Sequence, residues 1–331
     1  MIPLRDTTFD FDAINDNIIG AGVLPVSVDE HGEFRILLGK ERYINHWRGS
    51  LKWSGFEGGR KMGETVEWTA AREFIEESIG VVEVNGVSST VESVAEYVAD
   101  QQYIARIVLC IIHGENNSER RYHVTYMIQV PYDTEYVSRF NNRRRIVTEL
   151  QHRHQQLNRL FEQIRGMPNE IDNPEIMAVV NATIEEKIGV VLEIIDSNGA
   201  TKKEQVAMTP EEADVYVRWH QTRTEFTMEC DNVSKACPHI LTVERNACNV
   251  IQAVRINEDY IEKQHVQWWS VNDLKKVLDN GGFLNSEFFR AYFLPVLQRA
   301  IQEIDQFKDI PPCPLSLSQR MRILDVNDDT E

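Results

Sequence analysis

Between Gly58 and Gly80 the chain reads GGRKMGETVEWTAAREFIEESIG, with glutamates at 64, 67, 73, 76 and 77 and arginine at 72. Positions three and four apart share one face of an α-helix, so a helix from about Glu64 to Ile79 sets Glu73 against both Glu76 and Glu77. Each like-charge pair costs an isolated helix about 0.2–0.5 kcal/mol. Neither Gly80 nor Val81 supplies a compensating cation. The opposite face carries Ala70, Ala71, Phe74, Ile75 and Ile79, an apolar stripe that seeks a core. Such a helix either exposes its acidic face to water or binds something cationic there. Mg²⁺ is a hard cation that takes carboxylate oxygens and bridges phosphates. Bound so, it neutralises developing charge and helps to deprotonate an attacking water.

The elements that must position this helix follow from pattern. IIGAGVLPVSV (18–28) and EFRILLGKER (33–42) predict strands around the turn DEHG. A long connection, YINHWRGSLKWSGFEGG, leads to the helix. A second strand pair is expected at 105–113 and 121–130. From Thr134 the apolar residues recur at helical spacing as far as Met167. Asn173-Pro174-Glu175 opens a second helical stretch, and Thr209-Pro210-Glu211-Glu212 is a capping box opening a third. VQWWSV (266–271) returns to strand, Ser270 caps a helix, and 286–307 forms one long final helix. The expected domains are 1–133, a mainly helical insertion over 134–255, 256–307 completing the first domain, and a disordered tail over 308–331.

The chain has 331 residues, enough for two domains or one with a large insertion. Its 52 acidic against 35 basic residues give a net charge of −17, which argues against general nucleic-acid affinity but leaves room for a local basic groove. No apolar run is long enough to span a bilayer and no basic-then-apolar leader is evident, so no membrane partner is expected. Five scattered cysteines fit a reducing compartment, cytoplasmic or nuclear.

The spacing Gly58, five residues, Glu64, seven residues, Arg72-Glu73-Phe74, one residue, Glu76-Glu77 resembles the box of the Nudix hydrolase superfamily. The family's closing glycine would fall at Ile79, whereas here it comes at Gly80, expected as the left-handed cap of a slightly lengthened helix. Glu57 stands where many members have proline or glycine. The resemblance implies an α/β/α sandwich with a mixed sheet, interrupted by the insertion. It implies Glu73, Glu76 and Glu77 as ligands of Mg²⁺ or Mn²⁺, joined by the Gly58 carbonyl, with Arg72 orienting Glu64 or Glu73. The implied activity is hydrolysis of the pyrophosphate in a nucleoside diphosphate linked to some moiety X. Cleavage of capped RNA is the alternative, and a non-catalytic scaffold binding a protein partner is another. Homodimers are common in the superfamily.

Weaker constellations surround this one. Arg139, Arg143, Arg144, Arg145, Arg153, Arg159 and Arg165 make the first insert helix basic, as a phosphate- or RNA-holding lid or as a solvated face. Tyr43, Trp47 and Trp53 in the loop before the box could stack a base or pack the loop. Lys40 and Arg42 could meet a substrate phosphate or lie in solvent. Glu258, Asp259 and Glu262 are candidates for the extra glutamate that several Nudix enzymes carry late in the fold. Cys230, Cys237, His239 and Cys248 have poor zinc spacing and read as unrelated thiols.

Overall fold

The computed structural model describes residues 12–84, 87–88, 90–101, 103–113, 119–165, 179–185, 189–195, 201–206, 209–236, 241–245, 251–256, 258–281 and 285–306. The chain divides into two compact units, Met1–Arg144 with Asp259–Glu331, and Arg145–Glu258.

The first unit is built on a mixed seven-stranded sheet. Its strands are β1 (Ile18–Val28), β2 (Phe34–Glu41), β3 (Trp53–Ser54), β4 (Phe56–Gly59), β7 (Ala105–His113), β8 (Glu119–Gln129) and β14 (Lys263–Ser270). Short strands β5 (Glu83–Val84) and β6 (Val87–Ser88) pair separately. The main order is β14-β2-β1-β8-β7, with β3 on β2 and β4 on β1. Within this sheet β1 and β8 pair in parallel. The strands expected at 18–28 and 105–113 are observed as such, and those at 33–42, 121–130 and 266–271 shift by a few residues at their ends.

Alternation along β1 explains the layers. Leu24 and Val26 join Ile36 and Leu38 in a core against helices α5 (Val271–Gly281) and α7 (Phe293–Gln306), through Leu274, Phe293, Leu297 and Ile301. Val23 points the other way and pairs with Phe56, whose ring meets Phe74 edge-on at 5.7 Å. Phe74 belongs to α1 (Val66–Ser78), so the acidic helix is anchored by the stripe read from its sequence. Helix α2 (Val91–Ala99), which the periodicity did not announce, lies against α1.

Two details correct the expected helices. The final helix is not continuous: α6 (Asn285–Phe288) and α7 are separated by Phe289–Tyr292. Phe289 bridges to Trp53, and the Arg290 N–H donates to the Trp53 carbonyl at 3.0 Å. Pro295 sits in the first turn of α7, where no intrahelical donor is required. Secondly, α1 is not lengthened. It ends at Ser78, and Ile79 itself takes the left-handed cap at φ 54°, with Gly80 following at φ 58°.

Helix α3 (Glu135–Arg165) opens in the first unit and runs into the second. The second unit is mainly helical, with the rest of α3 and α4 (Pro210–Ala236), but it also holds five strands that sequence reading missed. They are β9 (Val179–Glu185), β10 (Gly189–Ile195), β11 (Thr201–Val206), β12 (Leu241–Arg245) and β13 (Ile251–Ile256). β9 to β11 form an antiparallel sheet and β12 with β13 a hairpin. The turn Asn173-Pro174-Glu175 lies outside the described residues. The Thr209 capping box forms as expected: Glu212 N–H donates to Thr209 Oγ1, and Thr209 N–H to Glu212 Oε2. Arg153 pairs with Glu225 and Glu229, and His154 stacks on Phe226, which joins α3 to α4 within this unit.

Candidate active site on the acidic helix

Arg72 organises the acidic helix. Its Nε lies 2.7 Å from Glu64 Oε1 and its Nη1 lies 2.6 Å from Glu73 Oε1 and 2.9 Å from Glu76 Oε2. Nη2 donates to the Gly59 carbonyl and to Glu64 Oε2. One planar guanidinium, fixed by its fork of donors, therefore orients three carboxylates rather than one. Glu64 also accepts from Lys61 N–H and the Thr69 hydroxyl. Burial opposes its ionisation, but those bonds, Arg72's first, outweigh burial and hold it down to about 2. Glu64 is an anchor for Arg72.

The acidic face is not solvated. Glu73, Glu76 and Glu77 are buried, Glu77 at 2% exposure. The charge compensation absent at 80 and 81 arrives from far along the chain. Lys263 Nζ, on β14, is fully buried and stands 3.1 Å from Glu77 Oε1 and 2.5 Å from Glu41 Oε1. It donates to Ser54 Oγ at 2.7 Å. Glu77 Oε2 accepts from the Glu57 N–H at 2.8 Å. Burial alone would lower the Lys263 pKa, yet Glu77 and Glu41 outweigh it and keep the ammonium charged. Burial raises Glu73 to about 7 against the pull of Arg72, with Glu76 and Glu262 adding to the rise.

Glycines open the site. A Cβ on Gly58 would fall 2.4 Å from the Glu73 carboxylate, and a Cβ on Gly20 would fall 2.5 Å from the Gly58 carbonyl oxygen. The carbonyl expected as a ligand thus borders a cleft of about 270 Å³, lined also by Glu57, Gly59, His123 and Arg290. Divalent-ion chemistry fits these donors on two observations. Glu77 Oε1 is buried and its neighbour is the Lys263 ammonium at 3.1 Å, which leaves the oxygen a lone pair for a further cation. Six carboxylates (Glu41, Glu57, Glu64, Glu73, Glu76, Glu77) also gather around Arg72, Lys263 and Arg290, with Lys61 at the rim 4.0 Å from Glu76. As they stand, no three His, Cys, Asp or Glu side chains among the described residues converge on one point.

The loop residues divide. Trp53 is buried and packs edge-on against Trp269 at 5.4 Å, so it serves the core rather than a base. Trp47 is partly exposed, with the Arg290 guanidinium over its ring at 5.5 Å. Tyr43 is exposed. Lys40 Nζ lies over Trp53 at 5.8 Å, and the Arg42 N–H donates to the Glu262 carbonyl at 2.8 Å. Of the three late acidic residues, Glu262 influences Glu73 by its charge, and the side chains of Glu258 and Asp259 lie outside the described ones. In the basic cluster, Arg143 binds the carbonyls of Ile79 and Gly80, Arg144 binds the carbonyl of Lys263, and Arg145 pairs with Glu149. Cys230 is a buried free thiol, and Cys237, His239 and Cys248 lie outside the described residues.

Sequence reasoning missed Glu41, His123, Lys263 and Arg290. None stands at a motif spacing; the pairing of β14 with β2, that of β8 with β1 and the break before α7 bring them together. His123 is half-buried 4.0 Å from Glu57, and desolvation lowers its pKa.

Residues 17–151 match the model of the NUDIX domain. The chain thus carries a NUDIX domain over these residues. The match ends inside α3, so Lys263 and Arg290 lie beyond it. No curated protein matches the chain. Similar solved structures include a Nudix hydrolase from M. smegmatis, RenU, at 15% identity over 35% of this chain and 63% of that one, TM-score 0.26. A C. elegans Ap4A hydrolase binary complex is 16% identical over 35% of this chain and 70% of that one, TM-score 0.23. A bifunctional NMN adenylyltransferase/ADP ribose pyrophosphatase from Francisella tularensis, complexed with AMP and Mn ion, is 16% identical over 34% and 27%, TM-score 0.23. The chain thus spans under two thirds of the first and third of these.

Proposed function

We propose that the chain is a divalent-metal-dependent hydrolase that cleaves the pyrophosphate of a nucleoside diphosphate linked to a further moiety. The observation that carries this reading is the burial of Glu73, Glu76 and Glu77 along one helix, with Gly58 packed against the Glu73 carboxylate at the edge of a cleft. Glu73, Glu76, Glu77 and that carbonyl would hold Mg²⁺ or Mn²⁺. When bound, the ion would neutralise charge developing on the phosphates and lower the pKa of a bound water. Arg72 fixes the direction of the carboxylates, and Glu64 fixes Arg72. Arg290, which lines the cleft with Glu57, would donate to a phosphate oxygen there, and Trp47 beneath it would offer a ring to a base. Glu262 is the candidate for proton abstraction from water, since it lies close enough to influence Glu73.

Cleavage of capped RNA gains less support, because Arg143 and Arg144 spend their donors on carbonyls of their own unit. The test is a substrate panel of ADP-ribose, NADH, dinucleoside polyphosphates, oxidised nucleotides and capped RNA, assayed with Mg²⁺ or Mn²⁺ and with chelator. Metal-dependent release of two phosphorylated products from a small nucleotide supports the proposal. Cleavage confined to capped RNA replaces it with the alternative, and no turnover with any substrate favours a scaffold.

A further inference from the structure

The ammonium of Lys263, on one strand, is enclosed by residues from three other elements. Glu41 comes from β2, Ser54 from β3, Glu77 from α1 and Lys263 from β14. Room for its stem is made by Gly39, where a Cβ would lie 2.9–3.0 Å from the Lys263 methylenes. A buried ammonium is costly unless fully paired, and an apolar side chain would fill this space at lower cost. Its closest partners are Glu41 and Ser54, with Glu77 Oε1 somewhat farther off at 3.1 Å. That oxygen is held in place with a lone pair still open.

We infer that Lys263 is a positioning residue that stands in for a cation at Glu77, fixing this carboxylate in the metal-free protein and competing with a divalent ion for it. The inference rests on the hydrolase reading above. Two cations addressing one oxygen repel each other, so the lysine weakens ion binding while it preserves the site. Glu41 moderates the competition, because it draws part of the ammonium's charge away from Glu77.

The test is Mn²⁺ affinity, measured by electron paramagnetic resonance on the full chain, for wild type, Lys263→Met and Glu41→Gln, with melting temperature followed in parallel. Lys263→Met should bind Mn²⁺ tighter by about tenfold or more, since a unit charge is removed from a low-dielectric site. It should also gain more thermal stability from Mn²⁺ than wild type does. Glu41→Gln should shift affinity in the opposite direction, because the ammonium then turns wholly to Glu77. A lysine that merely supports the fold would weaken binding in both variants, and that result overturns the inference. If Lys263→Met does not fold without ions, recovery of its native circular dichroism on adding Mn²⁺ supports the inference. Failure of Mn²⁺ to restore it, with unchanged affinity in Glu41→Gln, overturns it. A wild type that binds no Mn²⁺ would instead remove the hydrolase reading itself.

Discussion

Arg143 Nη1 donates to the carbonyl oxygens of both Ile79 and Gly80, at 2.8 Å each. These groups lie at the end of α1, where Ile79 adopts the left-handed conformation that glycine usually supplies. A non-glycine residue held there costs on the order of 1 kcal/mol or more. Ile79 is buried, so its side chain returns packing energy, and Arg143 satisfies the carbonyls. Arg143→Gln should lower unfolding free energy by about 1–2 kcal/mol. Urea denaturation checks this, and an unchanged midpoint would show that the cap holds without the arginine. Salt dependence of binding to a capped oligonucleotide should stay the same in this variant.

The pH dependence of the metal-free protein has a defined sign. Glu73 rises from an ordinary 4.5 to about 7 in the fold. Its favourable contribution is therefore complete below about pH 4.5 and is lost as pH climbs through 7, on the order of 3 kcal/mol in all. Glu64, depressed to about 2, acts in the opposite sense, but only below 4.5. Chelator-treated protein should thus be less stable at pH 8 than at pH 5. Melting curves of Glu73→Gln should show this slope flattened, and a slope equal to wild type would assign it to another group.

The two tryptophans of the loop should respond differently. Trp53→Ala opens a cavity among Trp269, Phe289 and Phe293 and should cost about 3–5 kcal/mol of stability. Trp47→Ala removes a partly exposed ring under Arg290 and should change stability by under about 1 kcal/mol. Its effect belongs in KM, raised several-fold with kcat nearly constant. Equal losses of stability in both variants would contradict the division.

How much of this was legible in the sequence depends on the range of each interaction. The box declared itself because Glu64, Arg72, Glu73, Glu76 and Glu77 lie within two turns of helix and its N-terminal approach, where spacing fixes geometry. Strands β1, β2, β7 and β8 were readable from their apolar runs and turns. Lys263 and Arg290 were not, because their meeting with Glu41 joins positions more than two hundred residues apart. The burial of the acidic face was hidden for the same reason: its cations are supplied by a distant strand and by Arg72 folding back on its own helix. The break before α7 looked like helix because Phe289 to Tyr292 keep helical spacing, while tertiary pairing with Trp53 decides otherwise.

The claim that the acidic face holds a catalytic ion is tested most directly at Glu76. Arg72 holds its Oε2, and Lys61 stands 4.0 Å from its Oε1. Glu76→Gln keeps the shape and removes one charge, so the variant should fold while its Mn²⁺ affinity and its turnover of the best panel substrate fall together. Loss of one charged ligand among three should cost at least about tenfold in each. The measurement is the initial rate as a function of Mn²⁺ concentration, for wild type and Glu76→Gln side by side. A rightward shift of the metal curve with a lowered plateau is the predicted result. Superimposable curves, or wild-type turnover undiminished by chelator, would contradict the account.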